Sequence, residues 1–89
     1  MPNALLEAMA AGLAVIVNDA SPGPLEFVTH GQNGLVVPHG DPAALARAML
    51  QLQADPQLRI RLGLAAQDRL KTQDWPALEP LWKAALAMG

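Results

Sequence analysis

The residues able to do polar chemistry are few and widely spaced. Glu7 is the one charged residue in the opening stretch Pro2-Asn3-Ala4-Leu5-Leu6-Glu7-Ala8-Met9-Ala10-Ala11-Gly12. By residue type alone, a glutamate on a helix reads as a solvated surface group. Asp19 and Ser21-Pro22-Gly23 follow an apolar run. Ligands of parallel sheets bind beyond the C-terminal ends of the strands, so these residues could border one. Ordinary loop capping is the preferred reading for both. His30 and His39 are isolated and read as solvated loop residues; without cysteine they make no zinc site. The absence of cysteine also excludes disulfides and thiol nucleophiles. Trp75 and Trp82 read as packing anchors.

The whole-chain balance narrows the classes further. The 89 residues set a prior of one domain or less. With 52% hydrophobic and 16% charged residues the chain is globular. Aromatics are only 3%, so the core must be built from Ala, Leu, Val and Met. A formal charge of -2 with no basic cluster argues against nucleic-acid binding. The apolar run Ala8–Val17 is too short to span a bilayer. Glu7 stands directly before it, and no Lys or Arg occurs ahead of Arg47. That is the wrong flank for a signal peptide, and the expectation is a cytoplasmic chain without a transmembrane segment.

The elements that must position these residues can be read in order. Ala4–Ala11 predicts a helix with Leu5, Leu6, Met9 and Ala10 on its apolar face, stopped by Gly12. Leu13–Val17 is a continuous β-branched run, as in a parallel strand buried on both faces. After a loop over 18–22, Gly23 suits an N-cap and Pro24 the first position of a helix running to about His30. Gly31 ends it, and Gln32-Asn33-Gly34 is a turn. Leu35–Val37 predicts a second buried strand. Asp41-Pro42 opens a helix to about Ala54, with Leu45, Met49 and Leu52 on one face. Asp55-Pro56 opens another, with Leu58, Leu62, Ala66 and Leu70 inward. Asp74-Trp75-Pro76 opens a last helix, late or kinked at Pro80, with Leu81, Trp82, Ala85 and Leu86 on its apolar face. The repeated Asp-Pro is capping chemistry and not an internal repeat. Strands alternating with helices predict an α/β class. The expectation is a partial Rossmann-like domain with a short two-stranded parallel sheet and a helical C-terminal half. Two strands alone make no stable sheet, so a larger doubly wound domain is implied.

The stretch from Pro2 to Gly12, with Leu13–Val17 and Asn18-Asp19 after it, resembles the donor-site segment of family-four retaining glycosyltransferases of the GT-B fold. Gly34-Leu35-Val36-Val37-Pro38, Gly40-Asp41-Pro42, and Leu58-Arg59 to Leu62-Gly63 match the same family. The resemblance is specific over residues 2–38, moderate to about 63 and weak beyond. It implies that Glu7 is the second glutamate of a Glu-x7-Glu motif, which accepts hydrogen bonds from the ribose hydroxyls of the donor nucleotide. A carboxylate suits that task, since it takes two hydroxyl donors with charge assistance. Asn3, Ala4 and Leu5 match positions whose backbone N–H groups face the donor phosphates or sugar at a helix N-terminus.

The departures bear on activity. The motif's first glutamate would lie eight positions before Glu7, ahead of Met1. The family's basic residues for the diphosphate and its acceptor domain also lie upstream. Ala14 replaces the usual proline entering the strand. Leu25 replaces a frequent arginine, while Glu26 is kept. The resemblance therefore implies that residues 1–89 are a C-terminal part of the nucleotide-sugar-binding domain. It implies a hexose-type transfer from a nucleoside-diphosphate sugar, with no required metal, no cofactor and no catalytic residue in this chain. Expected partners are the nucleotide sugar, the N-terminal domain or another chain, and a second copy through self-association. The alternative reading is a non-catalytic α/β binding or structural module that pairs with another chain.

Overall fold

In the computed structural model, which describes residues 3–72, the order is α1 (Asn3–Ala10), β1 (Ile16–Asn18), α2 (Pro22–Leu25), β2 (Leu35–Val37), α3 (Pro42–Ala54) and α4 (Pro56–Lys71). This is the expected mixed α/β class with two parallel strands. The helix expected after Asp74, and with it Pro80, Trp75 and Trp82, lies outside the described residues.

Gly12 ends α1 as its sequence position requires. Its φ is 77°, and two bonds close the helix end: Gly12 N–H to the Met9 carbonyl and Leu13 N–H to the Ala8 carbonyl, both 3.0 Å. This is the paired geometry of a Schellman cap, in which a left-handed residue satisfies the last carbonyls. Leu13 is consumed by the cap, so β1 starts later than the apolar run suggests. Pairing extends from Leu35 N–H on the Val15 carbonyl (2.9 Å) to Asp19 N–H on the Val37 carbonyl (3.2 Å). The register sets Ile16 against Leu35, Val17 against Val36 and Asn18 against Val37.

The helix expected from Gly23 to His30 is displaced and shortened. Its N-cap position is Ser21, extended at φ −138°, and Pro22 takes the first turn. Proline fits there because that N–H has no helical partner. The helix stops because Asn33 captures the groups that would continue it. Asn33 Oδ1 accepts from Thr29 N–H at 2.7 Å, and Asn33 Nδ2 donates to the Phe27 carbonyl at 2.7 Å. Asn33 is the one buried polar residue among those described. Asn33→Ala should leave two main-chain groups unpartnered, a loss of about 1–3 kcal/mol. For a domain this small, the melting temperature should fall by at least about 5 °C. An unchanged melt would show that solvent replaces both bonds.

Asp41 and Asp55 cap as expected, their Oδ1 atoms accepting from Ala44 N–H (2.9 Å) and Leu58 N–H (3.0 Å). The inward face of α3 is not Leu45, Met49 and Leu52. Ala44, Ala48 and Leu52 are buried, whereas Leu45 is 42% and Met49 58% exposed. The alanine stripe lets the helix axis come close to the sheet. On α4, Leu62, Ala66 and Leu70 are buried and Leu58 is half-buried, in line with the expected face.

The sheet separates two apolar clusters. Leu6, Met9, Ala10, Val15, Phe27, Val28, Ala66 and Leu70 form one, with Val17 and Val36 against it. Leu35, Val37, Ala44, Ala48, Leu52 and Leu62 form the other, with Ile16 and Leu58 against it. α4 thus serves both faces, passing from one to the other at Gly63. There it lies directly on the Gly12 turn: a Cβ on Gly63 would sit 2.0 Å from the Gly12 carbonyl oxygen. One turn later Gln67 Nε2 donates to the Ala10 carbonyl at 3.1 Å. No helix among the described residues is long and apolar enough to cross a membrane.

Candidate functional site

A helix that precedes its strand through a short link runs back along it. The start of α1 therefore lies at the same end of the sheet as the C-terminal ends of β1 and β2, where open α/β sheets take their ligands. The first N–H groups of any helix lack an intrahelical acceptor, and here they belong to Asn3, Ala4 and Leu5. Ala4 is exposed. Leu5 is half-buried and packs on the α1 cluster, so its side chain anchors the turn whose amide points outward.

Glu7 lies one turn behind Asn3 on the same face of α1 and is exposed. Side chains on a helix lean toward its N-terminus, which carries the carboxylate toward the free amides. No donor among the described residues meets that carboxylate. This end of α1 can therefore accept hydroxyl donors at Glu7 while donating main-chain N–H groups to an anion.

A concavity lies at the C-terminal ends of β1 and β2, beside the start of α3. It measures about 410 Å³ and is lined by Ile16, Val17, Asn18, Val37, Pro38, Gly40, Asp41, Pro42 and Leu45. None of Asn3, Ala4, Leu5 or Glu7 borders it. One side-chain oxygen each of Asn18 and Asp41 is already engaged with the protein's own backbone. Asn18 Oδ1 accepts from Ala20 N–H at 2.9 Å, and Asp41 caps α3. The cleft was not legible in the sequence, because it forms where the ends of β1 and β2 meet the start of α3.

The loop residues resolve into structural roles. Asp19 Oδ1 accepts from His39 N–H at 2.8 Å, tying together the loops that leave the two strands. His30 is exposed, but its Nδ1 accepts from Val36 N–H at 2.9 Å along the outer edge of β2. Arg61 and Arg69 donate to the carbonyls of Gly31 (3.1 Å) and Glu26 (2.9 Å) and so hold the α2–β2 connection. Among the described residues no group of three or more His, Asp or Glu side chains could hold a metal ion.

Comparison with known proteins finds relatives of the sequence. Residues 1–69 match the family described as glycosyl transferases group 1. The chain is 42% identical over 71 residues to the lipopolysaccharide core biosynthesis glycosyltransferase LpsE of Rhizobium meliloti, covering 80% of this chain and 21% of that protein. It is 38% identical over 71 residues to a phosphatidyl-myo-inositol mannosyltransferase of Mycobacterium leprae, covering 80% and 19%. It is 40% identical over 67 residues to an exopolysaccharide phosphotransferase of Streptomyces coelicolor, covering 75% and 7%. The chain thus spans about a fifth or less of the length of these relatives. No solved structure matches it significantly.

Proposed function

The chain belongs to the glycosyl transferases group 1 family, and from that premise we propose that it supplies part of the donor site for sugar transfer from a nucleoside-diphosphate sugar to an acceptor hydroxyl. In this reading Glu7 accepts the ribose hydroxyls. The N–H groups of Asn3, Ala4 and Leu5 donate to the phosphates or the sugar. The family resemblance adds retention of anomeric configuration and a hexose as the transferred group, consistent with the mannosyltransferase name of one relative. The observation that carries the reading is the Glu7 carboxylate, which meets no partner among the described residues, one turn behind the helix-start amides at the ligand-binding end of the sheet.

The role is one of binding. Donors and dipoles placed at a leaving diphosphate stabilise charge as it develops, and this helix start supplies part of that set. The other donor contacts and the acceptor site belong to an N-terminal domain or another chain. A cytoplasmic location, where nucleotide sugars are available, completes the proposal. The purified 89-residue chain is expected to show no turnover of a nucleotide sugar above a Glu7→Ala control. Turnover would show that this chain is a complete enzyme.

The direct test is an NMR titration of the chain with uridine and guanosine diphosphates. Amide shifts should concentrate at residues 3–7 and shrink in Glu7→Ala. Shifts confined to residues 38–45 would move the ligand to the α3 cleft, and no shifts at saturating nucleotide would reject the donor-site reading.

A further inference from the structure

Asn33 and Gly34 are each fixed by their surroundings, and for different reasons. The Asn33 side chain is buried and works in both directions: Oδ1 accepts from Thr29 N–H and Nδ2 donates to the Phe27 carbonyl, both at 2.7 Å. A carboxamide does both at once, whereas a carboxylate only accepts. Gly34 is confined by packing. A Cβ there would lie 2.7 Å from Val28 Cγ1, 3.0 Å from Val15 Cγ2 and 3.1 Å from the Val15 carbonyl oxygen. Val15 and Val28 belong to the buried cluster that also holds Met9 and Phe27. The two demands set an asparagine directly before a glycine in the core.

That pair carries a latent reaction. The Cγ of an asparagine can be attacked by the main-chain nitrogen of the next residue, and a glycine, with no Cβ in the way, hinders the attack least. A bond forms between Gly34 N and Asn33 Cγ, the Gly34 amide proton passes to solvent base, and Nδ2 leaves as ammonia. Water then opens the cyclic imide at either carbonyl, giving aspartate or isoaspartate at position 33. Nothing is oxidised or reduced. Ring closure requires the Asn33 carboxamide to turn onto the Gly34 nitrogen. In the fold it is held instead by Thr29 and Phe27. The turn around it is closed by Gly31 N–H on the Gly34 carbonyl (2.8 Å), Gln32 N–H on the Thr29 carbonyl (3.0 Å) and Arg61 on the Gly31 carbonyl (3.1 Å).

We infer that Asn33 is a site of self-modification by deamidation, silent in the folded chain and reactive when the turn over 29–34 opens. The product fits the site badly. An aspartate at 33 still accepts from Thr29 N–H, but it offers no hydrogen to the Phe27 carbonyl and brings a charge into a buried position. Isoaspartate adds a methylene to the main chain directly before a glycine that has no spare room. Either product opposes reclosing. Local opening thereby becomes one-way, and chemistry rather than equilibrium stability sets the lifetime of the folded chain. The inference uses none of residues 3–7, so it stands or falls independently of the donor-site proposal.

The test is to incubate the 89-residue chain in neutral buffer, with and without denaturing urea, and to follow its asparagines by peptide mass mapping. In urea Asn33 should convert well ahead of Asn3 and Asn18, which precede Ala4 and Asp19 and serve as internal controls. In buffer alone its conversion should be slower by at least about 100-fold, because the native rate is the open fraction times the open rate. Arg61→Ala changes an exposed side chain and releases the Gly31 carbonyl. It should raise the rate in buffer about two- to tenfold, the factor for one lost hydrogen bond, and leave the rate in urea unchanged. Asn33→Asp presents one product directly and should unfold at lower urea than the native chain, or fail to fold. Conversion of Asn33 as fast in buffer as in urea would overturn the inference, since the fold would then give no protection. So would an Arg61→Ala chain that converts at the native rate, or an Asn33→Asp chain with the native urea midpoint.

Discussion

Gly63→Ala is expected to abolish cooperative folding. The added Cβ would lie 2.0 Å from the Gly12 carbonyl oxygen, 2.9 Å from its carbon and 3.5 Å from the Leu13 carbonyl carbon. None of these is the end of a flexible side chain. They belong to the Schellman cap of α1, whose conformation is held by Gly12 at φ 77° and by the bonds to Met9 and Ala8. Relief would require α4 to move away from the turn. That would loosen Leu62 from one cluster and Ala66 and Leu70 from the other, because α4 packs on both. Overpacking commonly costs about 1–3 kcal/mol, and a rigid backbone contact belongs above that range. A domain of this size has a thin margin. The matched control is Gly23→Ala, whose Cβ meets nothing within 4 Å. Gly12→Ala should fall between them: it forces a left-handed alanine, at about 1–2 kcal/mol, and presses on Gln67 at 3.2 Å. Urea melts that place Gly63→Ala within about 1 kcal/mol of Gly23→Ala would show that α4 can shift without loss.

The contrast between Gly63 and the Asp-Pro pairs shows which parts of the fold were legible in the sequence. Asp41-Pro42 and Asp55-Pro56 act within one turn. Their chemistry is complete in a few residues, and both helices begin where those residues say. The strand Leu35–Val37 was legible for the same reason, bounded by Gly34 and Pro38. What depended on distant partners was not. Hydrophobic spacing on α3 indicates a stripe but does not phase it. Leu45 and Met49 carry the larger apolar surface, yet close approach to the sheet selects Ala44 and Ala48 for the inward face. The helix expected to reach His30 stops at Leu25 because Asn33, four residues beyond Thr29, offers its amide in place of the helical ladder. Gly63 carried no local signal of the turn it rests upon. The candidate site divides in the same way. Glu7 and residues 3–5 were reached through resemblance to a motif. Composition and periodicity alone left Glu7 as one exposed helical glutamate, and exposed is how the fold presents it.

That exposure makes the donor-site proposal open to a clean measurement. Glu7→Ala removes a side chain that meets no partner among the described residues and places a stronger helix former on α1, so the fold should be unchanged. Matched circular dichroism establishes this first. If the carboxylate accepts two ribose hydroxyls, each a hydrogen bond to a charged group, the substitution should weaken nucleoside-diphosphate binding by about 30- to 1000-fold. Glu7→Gln should weaken it less, since the amide oxygen still accepts but without charge assistance. The discriminating ligand is a 2′,3′-dideoxy nucleoside diphosphate, which keeps the phosphates for the amides of Asn3, Ala4 and Leu5 but offers no ribose hydroxyl. Its affinity for the native chain should already be low, and Glu7→Ala should leave it nearly unchanged. The hydroxyl and carboxylate losses would then be one loss counted from either side, the signature of direct contact in a double-mutant cycle. Equal weakening of normal and dideoxy ligands by Glu7→Ala would mean that Glu7 acts on the helix start as a whole. The ribose-clamp assignment would then fail even if the amides of residues 3–5 still bind the diphosphate.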